Sequence, residues 1–160
     1  RGDNIGASLA AYATAVANSK DVAATHQARL ARFRATGTAD IDQARSFYKS
    51  ALTIYRDLKA GKDIAETLLE WAMTELDAGN ALAAESMARR SLYISLNRQD
   101  RKRSLAGMKV LHDSYAHPAM ADDERVADNQ VFTATWLQQL ENTRFTAWQK
   151  LSSAIDSYPR

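Results

Sequence analysis

Apolar residues return along this chain at spacings of three and four, interrupted by short polar or glycine-containing stretches. That period puts them on one face of successive amphipathic helices. Ile5, Leu9, Tyr12 and Val16 predict a first helix over about 4–17. A second follows, capped by Asp21 or Ser19, with Val22, Leu30 and Phe33 on its apolar face and Gly37 as its stop. Asp40 or Thr38 caps the third, where Phe47, Tyr48, Ala51, Leu52, Tyr55 and Leu58 form a broad face that Gly61 ends. Ile64, Leu68, Trp71, Ala72 and Leu76 carry a fourth helix over about 63–77, and Ala84, Met87, Ala88, Leu92 and Leu96 a fifth over about 81–96. Asp100 caps a sixth through Leu105, Met108, Leu111, His112 and Tyr115, which His117 and Pro118 end. The acids Asp122, Asp123 and Glu124 suit the positive end of a further helix. Its apolar positions run from Val126 to Leu140 and resume at Phe145, Trp148, Leu151, Ile155 and Tyr158, as two helices or one bent one. No stretch alternates as a half-buried strand does, so the chain is predicted all-α, with about seven or eight helices in antiparallel pairs.

One part of the pattern occurs twice. Ala44, Tyr48, Ala51, Leu52 and Ile54 return as Ala84, Ala88, Ser91, Leu92 and Ile94 at a constant offset of 40 residues. A fixed offset with small residues in matching places is what a repeated helix pair leaves, each pair covering its neighbour's apolar side. Alanine and serine at the contact positions of the fifth helix let another helix approach closely.

On these residues the stretches 25–58 and 65–98 resemble tetratricopeptide repeats, helix-turn-helix units of 34 residues. In the second stretch Trp71 and Ala72 stand at the family's large-small pair, Gly79 in the turn, and Ala84, Ala88, Ser91 and Leu92 at the small and apolar positions of the second helix. In the first, Ala44, Tyr48, Ala51 and Leu52 match, while Arg32 takes the usual small position and Ala39 replaces the turn glycine. Lys59 to Ile64 separates the two, and Leu105 with Ala106 resembles the start of a third, degenerate unit from residue 99. The resemblance implies one helical-repeat domain over 1–160, a short solenoid closed by capping helices over 122–158. It also implies a partner-binding wall made by the first helices of the pairs, facing which stand His26, Arg29, Phe33, Glu66, Leu69 and Met73. Phe33 and Met73 stand where the family's carboxylate clamp has asparagines. An apolar groove of this kind suits an amphipathic or hydrophobic peptide, unless the terminal helices fold back to fill it.

Composition narrows the function further. A length of 160 residues with 46% hydrophobic and 25% charged residues suits one soluble domain with a sizeable core. There is no cysteine, which excludes disulfides and thiol catalysis without assigning a compartment. No apolar run approaches the roughly 18 residues of a membrane span. The opening Arg1-Gly2-Asp3-Asn4 has neither an initiator methionine nor a signal pattern, and reads as a processed chain or an excised piece.

The net charge of +2 does not by itself point to nucleic acid. Its distribution offers a second reading, because Arg89, Arg90, Arg98, Arg101, Lys102 and Arg103 surround one turn and form a candidate polyanion-binding patch. No aromatic interleaves that run, which argues against base stacking. His112, Asp113 and His117, with Asp122 or Asp123, are the nearest approach to a metal set, but a spacing of five does not place the two histidines on one helix face. No glycine-framed nucleophile and no phosphate loop occurs. The aromatics Tyr12, Tyr48, Trp71, Trp136, Trp148 and Tyr158 read as core. The expectation is a non-catalytic adaptor without metal or cofactor that binds a protein or peptide. Nucleic-acid or polyanion binding at 98–103, or a structural role in a larger assembly, are the alternatives.

Overall fold

The computed structural model describes residues 20–141, 150, 151 and 154. The helix expected over 4–17, and the stretch containing Phe145, Trp148, Ile155 and Tyr158, lie outside them. Among the described residues there are six α-helices and no strand. They are α1 Lys20–Gly37, α2 Ile41–Asp57, α3 Gly61–Asp77, α4 Ala81–Asn97, α5 Arg101–Ala116 and α6 Val126–Glu141, with a 3-10 turn at Pro118–Met120. Helices α1 and α2 pack as a pair, α3 packs on α4, α4 on α5 and α5 on α6, while α3 also touches α5. This sequential packing of antiparallel neighbours is a helical-repeat arrangement.

The period is finer than the helix pair. Four consecutive helices begin at 41, 61, 81 and 101, one every 20 residues. The turns between them are alike, because Lys59, Gly79 and Gln99 each take a positive φ, of 52°, 80° and 57°. The amide after each of these residues reaches back to a carbonyl five residues earlier: Ala60 to Tyr55, Asn80 to Glu75 and Asp100 to Ser95, at 2.8–2.9 Å. Lys59, Gly79 and Gln99 themselves donate to Arg56, Leu76 and Leu96. These paired bonds form the Schellman ending, which satisfies carbonyls left over at the helix terminus. Gly61, expected to end a helix, instead opens α3, because Lys59 has already taken the left-handed position. The six residues expected to separate two 34-residue units are therefore one turn and the start of a helix.

Two compact units result, Arg1–Ala60 and Gly61–Arg160. In the first, α2 buries Ala44, Tyr48, Ala51, Leu52 and Tyr55, and the Asp40 side chain caps it by accepting from the amides of Asp42 and Gln43. The buried face of α1 differs from expectation. Ala28 and Ala35 are buried, with Ala24 and Ala31 half-buried on the same stripe, while Val22, Leu30 and Phe33 are exposed, Phe33 at 78%. Alanines present least bulk and admit the close approach of α2, so the packing face follows them rather than the larger side chains.

In the second unit the repeated seam holds. Ala84, Ala88, Ser91 and Leu92 are buried on α4, as Ala44, Tyr48, Ala51 and Leu52 are on α2. The Ser91 hydroxyl donates to the Ala65 carbonyl at 2.6 Å, a bond that small residues at the α3–α4 contact permit. Gly107 brings α5 against α4, since a Cβ there would lie 3.4 Å from Leu92 Cβ. Asp100 caps α5 through the amide of Arg103, and α5 ends at Ala116, ahead of His117 and Pro118, as expected. Leu140 and Leu151 are buried in the core with Met108, Leu111 and Tyr115. Phe132, Trp136 and Leu137 pack against that core, with Trp136 tilted on Phe132 at 6.3 Å between ring centroids.

Candidate functional site

Glu66, Leu69, Glu70 and Met73 are spaced by three, one and three along α3, which puts all four on one face. That face looks across to Lys102, Arg103 and Ala106 on α5. With the capping residue Asp100 these side chains line a shallow cavity of about 270 Å³. Leu69 is half-buried and packs on the core beneath, whereas Met73 is 50% exposed. Leu69, Met73 and Ala106 give the cavity its apolar part, and Glu66 and Glu70 on α3, Asp100, and Lys102 and Arg103 on α5 give its charged part. Among the described residues, none of α6 lines it.

Arg103 fixes the rim. Its guanidinium pairs with Asp100, three residues earlier, and reaches Glu66 on α3 at 3.5 Å. The carboxylate of Asp100 also accepts from the Arg103 amide at 3.1 Å, so one residue both caps α5 and anchors a cation. Lys102, on the same first turn, is exposed.

The structure joins two sets of residues that the sequence treated separately. Glu66, Leu69 and Met73 from the expected wall share this cavity with Lys102 and Arg103 from the expected basic patch. His26, Arg29 and Phe33 belong to α1 in the other unit, where His26 is half-buried and the other two are exposed. Arg90, Arg98 and Arg101 are exposed, and the Arg98 guanidinium lies over Gly61, with Nη1 3.3 Å from where a Cβ would stand. Arg89 points elsewhere. It pairs with the buried Glu85 and donates to the Tyr115 hydroxyl at 2.9 Å, while that hydroxyl donates to Glu85 at 2.8 Å. Tyr115 stands 14 residues beyond Arg101 on α5, about 21 Å along the helix at 1.5 Å per residue.

Glu75 and Glu85 were not singled out from the sequence. Glu75 is only 1% exposed, and its carboxylate accepts from Trp71 Nε1 at 2.8 Å and Asn80 Nδ2 at 3.0 Å. The local signal was available, because Trp71 and Asn80 lie within five residues of Glu75. Ala106, Glu70 and Asp100 were also missed as cavity residues, since membership there depends on which helix faces α3.

Elsewhere, two histidines serve the packing of the fold. The Thr133 hydroxyl donates to the Asn129 carbonyl at 2.8 Å, which leaves it to accept from His112 Nδ1 at 2.9 Å and docks α6 on α5. His117 accepts the Ala119 amide at 3.2 Å and so caps the 3-10 turn. Among the described residues no three potential ligands stand close enough to hold a metal ion, and no helix is long and apolar enough to cross a membrane. Arg125 grips Asp123 with two side-chain bonds and one backbone bond, which hold its carboxyl down from 3.8 to about 2.

Comparison with protein-family models, with curated proteins and with solved structures gives no match to this chain.

Proposed function

We propose that this chain is a non-catalytic adaptor of the tetratricopeptide-like kind, binding a peptide segment of a partner protein along the wall formed by α3 and α5. One observation carries the reading: the cavity with Leu69 and Met73 on one helix and Ala106 on the other, its rim pinned by Arg103 to Asp100 and Glu66. A rim held before the partner arrives reduces the ordering cost of association. Met73 suits such a surface because its flexible thioether adapts to different apolar side chains. Polyanion binding through the basic turn has less support, since Arg89 and Arg103 are taken up in ion pairs within the fold.

The test uses a labelled helical peptide with leucines at i, i+3, i+4 and i+7 and glutamines elsewhere on its flanks. Fluorescence anisotropy is expected to detect binding, and Met73→Asp to weaken it about tenfold, the effect of one lost buried apolar contact worth about 1.4 kcal/mol. Because Met73 is half-exposed, the variant should keep its helical circular dichroism. Unchanged affinity in the folded variant would remove the α3–α5 wall from consideration.

A further inference from the structure

We infer that the outer face of α1 is a docking site for a helix, and that its occupant is the chain's own stretch 4–17, laid antiparallel along it.

Helix α1 carries two apolar stripes. Ala24, Ala28, Ala31 and Ala35 form the one that packs on α2. Val22, His26, Leu30 and Phe33 form the other, and at 3.6 residues per turn its centre falls about 180° from the first. A helix lying between one neighbour and water needs a single apolar stripe. Val22, Leu30 and Phe33 are nonetheless exposed, Phe33 at 78%. Three large apolar side chains in line on one helix mark an interaction surface.

The register of the chain's hairpins says what fits there. Across the turn at Gln99 and Asp100, Leu92 stands against Gly107, each seven residues from the turn, and Tyr115 bonds Glu85, fifteen and fourteen residues from it. Apposed residues in such a hairpin are equally far from its turn. The apolar positions of 4–17 obey the same rule toward α1, with Ser19 at the centre. Ile5 and Phe33 each lie 14 residues from Ser19, Tyr12 and His26 seven, Val16 and Val22 three, and Leu9 and Leu30 ten and eleven. Every member of the exposed stripe thus has an apolar counterpart at its own level. The helix starts at 20, 41, 61, 81 and 101 are about 20 residues apart, and one interval earlier falls on this stretch.

Charge and connection favour this occupant over a second copy or a separate partner. Helix α1 carries Lys20, Arg29, Arg32 and Arg34 against the single acid Asp21. A second copy docked through the same face would place its two-fold axis between His26 and Leu30 and bring the two Arg29 side chains together, a repulsive pair. Residues 4–17 contain no charged side chain and meet no such opposition. They are joined to α1 through Asn18 and Ser19 alone, and so short a tether gives an effective concentration of about millimolar, which a separate partner must exceed. The face on which Phe33 was expected to meet a partner then belongs to the fold.

The protein has no cysteine, so one engineered pair in the full chain reports one contact. Ile5→Cys with Phe33→Cys is expected to form an intramolecular disulfide at least about tenfold faster than Ile5→Cys with Arg34→Cys, because Arg34 lies about 100° further round the helix and out of bridging reach. Arg34 is itself exposed, so both pairs are open to oxidant. In the cysteine-free chain, Phe33→Asp should speed chymotrypsin cleavage after Tyr12 about tenfold, since cleavage follows the population of the opened state. Its helical circular dichroism should stay close to the parent's, because Phe33 lies on the side of α1 away from α2. Equal oxidation of the two pairs, or cleavage at Tyr12 that ignores Phe33→Asp, would overturn the inference. Disulfide-linked dimers that increase with protein concentration, in place of linked monomers, would replace 4–17 by a second copy. A leucine-striped peptide whose binding is lost in Phe33→Asp but kept in Met73→Asp would give the face to a partner.

Discussion

Glu75 shows how much a single buried side chain depends on its partners. A carboxylate shut away from water is costly unless hydrogen-bonded, and here Trp71 and Asn80 both donate to it. Trp71→Phe keeps an aromatic ring in the core but removes one donor. It is expected to lower stability by about 1–3 kcal/mol, read from urea unfolding. A loss no larger than about 0.5 kcal/mol would mean that the indole N–H contributes little to holding Glu75. Asp123 is the opposite case. It is half-buried, its partner is two residues away, and the bonds from Arg125 hold its pKa down at about 2. Because the folded value lies below the ordinary one, its contribution is present above about pH 4 and is lost as the pH falls toward 2.

At the scale of elements, the equal spacing of α2, α3, α4 and α5 comes from turns that repeat one hydrogen-bond pattern. Each turn needs a residue in the left-handed region, and glycine occupies just one of the three positions, at Gly79. A Cβ at Gly79 meets nothing within 4 Å, so Gly79→Ala isolates the backbone cost, expected at about 1–2 kcal/mol. Gln99→Gly should act the other way and raise stability by up to about 1 kcal/mol, since it relieves a side chain already held at a φ of 57°. Thermal melts of the two variants check both signs together. If Gln99→Gly destabilises, the Gln99 side chain makes contacts that outweigh its backbone strain.

Over the whole molecule, two of the basic residues that cluster in the sequence are tied into the fold, while Arg90, Arg98, Arg101 and Lys102 are exposed. Arg89 closes a network between α4 and α5 with Glu85 and Tyr115, and Arg103 ties α3 to the start of α5. Arg89→Met is accordingly expected to reduce stability by about 1.5–3 kcal/mol, the value of a hydrogen bond to a charged group, while retention on a heparin column stays unchanged. Lost retention at unchanged stability would return Arg89 to an outward basic face. The fold also brings the apolar side chains of α3 to the first turns of α5, a meeting that Met73→Asp probes.

The sequence by itself determined the helical class, the 40-residue offset, the buried seam of α2 and α4, and the cap Asp100, and it narrowed the cap of α2 to Asp40 or Thr38. These are local properties: a period of 3.6, small residues in register and a side-chain oxygen within three residues of a free amide. Tertiary structure decided the rest. The face α1 buries depends on how closely two helices approach, which favoured Ala28 and Ala35 over Phe33. The roles of Glu85, Arg89 and Arg103 depend on carboxylates or hydroxyls supplied by another helix or a capping turn. The cavity exists because α3 and α5 lie side by side, joining residues about 30 positions apart that no local period relates.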